Sequence, residues 1–280
     1  MPDRLSDPSL SPIGGVRIGV FDSGVGGLSV LRALRERMPE AELLYVADSG
    51  YAPYGEKTDA FVVERSLAIA RFLLEQGADL LVVACNTATA AAVHALREAH
   101  PSLPIVGIEP GLKPAVALSA RGRVGVMATT GTLRSARFRQ LVERHGGQAQ
   151  VHLQPCPGLA AAIETGDLDT PALRELVETF CAPLRAAEVD TVVLGCTHYP
   201  FVAPLIAQAM GPAVTLVDTS EAVARQTVRL ATARLAGRTP SPHTSPLAGG
   251  MRLWSSGDPD RLSSTVHRWL GLEAQASRLP

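Results

Sequence analysis

Aromatic residues are scarce in this chain of 280 residues: they fill 4% of positions, so its core must be mostly aliphatic. An excess of one charge is also missing. The formal net charge is −1, which leaves no basic surplus to hold nucleic acid or an anionic membrane surface. The four cysteines, Cys85, Cys156, Cys181 and Cys196, form neither a Cys-x-x-Cys pair nor a disulfide-scaffold spacing. Such usage predicts a reduced, cytoplasmic setting. No run of about 18 apolar residues occurs, so no membrane-spanning helix is expected. Residues 1–15 hold no apolar run of the kind a secretory signal carries. Lysine is nearly absent. Of 26 basic side chains only Lys57 and Lys113 are lysines, and both are expected in loops, near Gly55 and Pro114. Neither looks like a desolvated Schiff-base lysine on a structured element, which argues against pyridoxal-phosphate chemistry.

What is present is apolar bulk. Hydrophobic residues make up 46% of the chain and charged ones 19%, enough for two domains of ordinary size. Continuous apolar runs, the pattern of parallel strands covered on both faces, recur at Val16–Ser23, Leu43–Asp48, Leu80–Cys85, Pro104–Glu109, Arg123–Thr129, Val151–Cys156, Thr191–Cys196 and Val214–Asp218. Helical patterns lie between them, at Leu28–Met38, Phe61–Gln76, Ala88–Ala99, Ser135–Arg144 and Pro171–Ala187. This alternation predicts an α/β fold of two similar, doubly wound parallel sheets. The breaker cluster Pro110-Gly111-Leu112-Lys113-Pro114 marks a boundary. Residues 16–113 with 221–272 then form the first domain and 114–220 the second. A short strand at Arg252–Ser255 and a helix at Asp260–Leu270 return to the first. Segments 1–15 and 237–250 read as flexible.

Chemistry gathers at the carboxyl ends of the strands, where doubly wound sheets bind ligands. Two strings are alike: Leu81-Val82-Val83-Ala84-Cys85-Asn86-Thr87 and Val192-Val193-Leu194-Gly195-Cys196-Thr197-His198. One cysteine after an aliphatic strand is ordinarily an inert core thiol. Two in matched settings point to a paired acid–base site with one thiol from each half. Asn86-Thr87 and Thr197-His198 are expected in the first turn of the following helices. Free backbone N–H groups there would stabilise a thiolate and bind a carboxylate. Asp22, Ser23, Asp48 and Thr129 end other strands. Cys85, Cys196 and His198 could in principle ligate zinc, but bound thiolates would move no protons, and no metal is assigned.

The turn Asp22-Ser23-Gly24-Val25-Gly26-Gly27-Leu28-Ser29 is no Walker A loop. It fits Gly-x-Gly-x-x-Gly at Gly24 and Gly26 but has Ser29 at the third position, and Asp48 follows at a distance suited to a ribose. A nucleotide site and a tight packing turn therefore both remain open. In the loop 51–57, Pro53 stiffens the backbone and Tyr54 offers a hydroxyl that could wall a pocket.

Together Phe21-Asp22-Ser23-Gly24-Val25-Gly26-Gly27, Pro53-Tyr54-Gly55, Ala84-Cys85-Asn86-Thr87-Ala88 and Leu194-Gly195-Cys196-Thr197-His198-Tyr199-Pro200 resemble the cofactor-independent glutamate racemases. The likeness runs over about residues 16–235, with the motifs in the family's order. It implies an active site between two α/β domains, no cofactor, a cytoplasmic homodimer, and interconversion of L- and D-glutamate to supply peptidoglycan synthesis. The family's catalytic cysteines fall on Cys85 and Cys196, and its assisting groups on Asp22 and His198. A further glutamate falls on Glu164. Substrate-binding positions fall on Asp22, Ser23, Pro53, Tyr54, Gly55, Asn86, Thr87, Thr129, Thr197 and His198. The resemblance also implies that Cys85 serves the D-enantiomer and Cys196 the L-enantiomer. Aspartate or hydantoin racemases and maleate isomerases share paired thiols and stand as rival readings, as does a metabolite-binding module.

Overall fold

The computed structural model describes residues 15–235 and 249–280. Of the segments expected to be flexible, only Gly15, Gly249 and Gly250 fall among them. Every predicted strand is present. The first sheet contains β1 (Arg17–Asp22), β2 (Glu42–Ala47), β3 (Leu80–Val83) and β4 (Ile105–Gly107). The second contains β5 (Arg123–Ala128), β6 (Gln150–Pro155), β7 (Thr191–Gly195) and β8 (Thr215–Val217). Two late strands, β9 (Met251–Ser255) and β10 (Ala276–Arg278), extend the first sheet. Its order is β10-β9-β2-β1-β3-β4, the second sheet's is β6-β5-β7-β8, and every pair is parallel. β10 has no counterpart in the sequence reading, because Ala-Ser-Arg carries no apolar run. It is an edge strand held by backbone pairing to β9.

β2-β1-β3-β4 and β6-β5-β7-β8 are the same winding, so β1 matches β5 and β3 matches β7. In each sheet the chain reverses direction of winding next to the first strand, and a crevice opens at the carboxyl ends there. Asp22 leaves β1 at that crevice and Cys85 follows β3. In the second sheet Thr129 and Cys196 leave the matching strands.

The apolar runs are continuous because both faces of each central strand are covered. β3 and β7 are buried along their whole length, while the edge strand β6 alternates between exposed and half-buried. On one face of the first sheet lie α1 (Leu28–Arg37), α10 (Ser220–Leu235) and α11 (Pro259–Leu270); α2 (Asp59–Glu75) and α3 (Asn86–Ala99) cover the other. The second sheet is covered by α7 (Leu159–Glu164), α8 (Pro171–Ala186) and α9 (Ala203–Met210) on one face. α4 (Leu112–Leu118) and α6 (Ala136–His145) take the opposite face, and α5 (Thr130–Arg134) follows β5. Lys113 lies exposed on α4 rather than in a loop. Phe201 touches both cores and stacks on Trp269 of α11, with ring centroids 4.2 Å apart. No helix among the described residues is long and apolar enough to cross a membrane.

Candidate active site

Cys85 is the N-cap of α3, and its sulfur accepts the Ala88 N–H at 3.4 Å. Its thiol reaches Ser23 Oγ at 3.8 Å, and Ser23 Oγ reaches Asp22 Oδ1 at 3.5 Å, both long contacts. Asp22 is wholly buried and accepts the Gly27 N–H at 2.7 Å. Burial first, and the Glu164 carboxylate further on, push the Asp22 carboxyl up; His198 pulls the other way. Burial, then the charge of Asp22, push the Cys85 thiol well above its ordinary value, and the helix-cap bond opposes them. The capped helix therefore does not yield the lowered thiol that the sequence suggests, because desolvation of a closed site outweighs one weak N–H···S contact.

Cys196 sits differently. Thr197 and His198 are not in the first turn of an α-helix. A 3-10 turn over Tyr199–Val202 comes first, and α9 starts only at Ala203. Pro200 and Pro204 supply no N–H for the α-helical ladder, so the chain cannot wind directly off β7. In place of a helix N-terminus Cys196 has an imidazole, with Sγ 3.6 Å from His198 Nδ1. The far nitrogen of the ring, Nε2, lies 2.6 Å from Glu164 Oε1. Burial resists the charge on His198, yet hydrogen bonds to Cys196 and Glu164 outweigh it and raise its pKa well above the usual value. For Glu164, burial works upward, but the bond from His198 and the Val25 N–H bring its carboxyl below the usual range.

The two halves interlock through these groups. Val25 N–H of the glycine-rich turn donates to Glu164 Oε1 at 2.6 Å, and Ser29 Oγ donates to the Thr197 carbonyl at 3.0 Å. A Cβ on Gly24 would strike the Glu164 carboxylate, and one on Gly26 the His198 ring. The glycines thus give the second unit room to close, as a packing turn does. Asp48 is equally committed: buried, it takes a two-pronged grip from Arg65 at 2.7 and 2.9 Å and the Tyr54 hydroxyl.

On the opposite flank Thr87 Oγ1 lies 3.0 Å from Thr129 Oγ1 and 3.3 Å from Thr132 Oγ1. Gly55 packs on Thr129, and Pro53 lines an outer cleft of about 340 Å³ with Glu164 and Arg261. Asn86 is buried with both amide atoms free of protein partners, next to Cys85. An unpaired buried amide of this kind is suited to a ligand or an ordered water, and the small cavity it borders is shared with Thr89, Ile108, Pro110 and Phe138. Asp22, Ser23, Cys85, Asn86, Thr87, Cys196, Thr197 and His198 are all buried together. The site has what a two-sided proton transfer requires: a thiol from each sheet, a carboxyl beside one and an imidazole beside the other.

Residues 28–227 match the Asp/Glu/Hydantoin racemase family. A glutamate racemase of Ectopseudomonas mendocina is 52% identical over 258 residues, covering 92% of this chain and 96% of that one. The chain belongs to the Asp/Glu/hydantoin racemase family. It is an isomerase of the racemase type. Among solved structures, a glutamate racemase isoform of Bacillus anthracis superposes with a TM-score of 0.82 at 31% identity, over 95% of this chain and 98% of the other. Escherichia coli glutamate racemase, solved with L-glutamate, gives a TM-score of 0.81 at 34% identity, over 94% of this chain and 98% of the other.

Three contributors to this racemase-type site escape a reading of sequence. Ser29 carries a faint signal, standing where the partial glycine pattern wants a third glycine. Thr132 is readable as the partner of the Thr129 cap, three residues on. Arg261, whose guanidinium donates to the Glu164 carbonyl, carries none, because 97 positions separate the two.

Proposed function

We propose that this enzyme interconverts L- and D-glutamate without a cofactor, moving one proton between the α-carbon and two thiols. The observation that carries the reading is the arrival of Cys85 and Cys196 from matching strand ends of two similarly wound sheets in one closed site. One cysteine acts as thiolate and takes the α-proton from one face. The other gives its proton to the opposite face. Cys85 serves D-glutamate and Cys196 serves L-glutamate, and the roles swap with direction. Asp22 adjoins Cys85, and the Glu164–His198 pair holds the Cys196 thiolate.

The α-proton is very weakly acidic, so the developing carbanion needs fixed dipoles and a dry cavity. The free amide of Asn86, the hydroxyls of Ser23, Thr87, Thr129 and Thr197 and the backbone around Gly55 are the groups available to hold the carboxylates and amine. Glutamate is favoured over a shorter acid by the relatives at about half identity, which carry that name. The D-glutamate so formed feeds peptidoglycan synthesis in the cytoplasm, and the enzyme works as a homodimer.

Circular dichroism of purified protein with L- or D-glutamate, and no added cofactor, tests the reading. Ellipticity should decay to zero from either enantiomer. In deuterated water the product should carry solvent deuterium at the α-carbon. Aspartate turning over faster than glutamate would overturn the substrate assignment.

A further inference from the structure

The turn that carries Glu164 is not held by its own unit alone. α7 is a short helix, and its last carbonyls lack intrahelical partners, as at every helix C-terminus. The last of them, on Glu164, and the carbonyl of Gly166, two residues past the helix, are met by arginines from α11, on the far side of the crevice. Arg261 donates to the carbonyl of Glu164, and Arg268 Nη1 donates to that of Gly166 at 3.0 Å. The adjacent Trp269 stacks on Phe201, three residues beyond His198. One helix of the first unit therefore grips the second unit on both sides of the Glu164–His198 pair. Cations at a helix C-terminus also complement its dipole.

We propose that Arg261 and Arg268 are positioning residues of the reaction: they clasp the Glu164–Gly166 turn so that the Glu164 carboxylate stays on His198 when the two units are closed. Glu164 Oε1 lies 2.6 Å from both Val25 N, in the first unit, and His198 Nε2, in the second. A carboxylate that must satisfy two bonds from different units has little tolerance for a shift of its own backbone. Arg261 fixes that backbone at the residue itself, and Arg268 fixes it two residues later, at Gly166, whose φ is +87°. Neither arginine touches the thiols, and both act through Glu164. The clasp rests on the two-thiol reading for its kinetic consequence, but not for its mechanical one.

The test uses the full-length protein with Arg261→Ala, Arg268→Ala and the double variant. Hydrogen–deuterium exchange should rise at the Val25 amide and across residues 163–166, whatever the enzyme's substrate. For glutamate racemisation, kcat/KM should fall about 10- to 100-fold in the double variant, the scale of a small misplacement of a catalytic group. The groups facing His198 are Cys196, Glu164 and Asp22, so loosening Glu164 should also move the basic limb of the kcat/KM profile to lower pH. Arg261→Lys, which keeps a donor at the Glu164 carbonyl, should recover part of the rate. Guanidinium ion at millimolar concentration should do the same for Arg261→Ala, since the cleft there is open. Unchanged exchange at Val25 in the double variant overturns the clasp. So does a loss of rate with an unmoved pH profile and no rescue, which marks a merely structural role. Should the double variant not fold, Arg268→Gln with the same exchange measurement decides. If wild type fails to racemise glutamate while exchange behaves as expected, the substrate reading fails and the clasp stands.

Discussion

His198 bridges Cys196 and Glu164, with Nδ1 3.6 Å from the sulfur and Nε2 2.6 Å from the carboxylate oxygen. The pair is buried, so its charges stabilise each other only while both are ionised. Glu164 has a lowered pKa, so its contribution is present above the ordinary carboxyl value near 4.5 and is lost as pH falls through the folded value. His198 has a raised pKa, so its contribution is full below the ordinary 6.5 and is lost as pH rises through the folded value. Wild-type stability should therefore be greatest between these limits. His198→Gln should flatten the alkaline side of a plot of Tm against pH. It should also cost about 3–5 kcal/mol near neutrality, the usual cost of stripping one partner from a buried pair. A parallel pair of curves would show that the imidazole is neutral in the folded protein.

Activity should register the same imidazole in a restricted way. Enantiomers have equal free energy, so kcat/KM must remain equal in the two directions for any variant. His198→Gln can separate the directions only through kcat and KM individually. On the proposed assignment of Cys196 as the base for L-glutamate, loss of the imidazole should weaken its thiolate, so kcat should fall more from L than from D. The fall in kcat/KM should be about 10²–10⁴-fold, the range for losing an assisting acid–base group. Initial rates from each enantiomer check both statements, and an equal fall in both kcat values counts against the assignment of Cys196 to L-glutamate.

Gly26→Ala tests closure. Its backbone is not in the left-handed region, so alanine adds no strain to the turn, yet its methyl would occupy the space of the His198 ring. Overpacking of this kind typically costs 1–3 kcal/mol when it cannot relax. With that strain relieved by a slight parting of the two units, the expected outcome is a folded protein with little change in Tm and kcat/KM lowered by at least about 10-fold. Gly24→Ala should behave alike through Glu164. Wild-type rates in both would mean that the crevice works in a more open form.

The sheets were legible because parallel strands covered on both faces leave continuous apolar runs, and these locate β1 to β9 to within a residue or two. β10 was not, since an edge strand of Ala, Ser and Arg is held by backbone pairing alone. The two thiols were legible for the same reason as the sheets: each follows a buried strand. What surrounds them was only half legible. Cys85 does cap a helix, but Pro200 and Pro204 delay the helix after Cys196, and that changes the second thiol's partner from a backbone dipole to an imidazole. Closure was not legible either. Contacts such as Arg261 to Glu164 join positions whose proximity depends on how two units dock, and local sequence patterns carry no record of that.

Replacing the thiols themselves tests the two-sided transfer directly. Cys85→Ser and Cys196→Ser keep a hydroxyl in place of each sulfur, so packing should be nearly undisturbed. A serine hydroxyl is far harder to ionise, and burial that already raises the Cys85 thiol would raise it further. Each variant should lose racemisation by at least about 10³-fold. The pair should not lose the product of the two single effects, because in the proposed scheme the thiols act as one unit and a site missing either has no two-sided transfer left to lose. The double variant should therefore be no worse than the weaker single variant within a few fold. Circular dichroism over long incubations at high enzyme concentration measures all three. A strictly multiplicative loss would mean that the two cysteines act in separate steps, and a wild-type rate in Cys85→Ser would remove the two-thiol scheme.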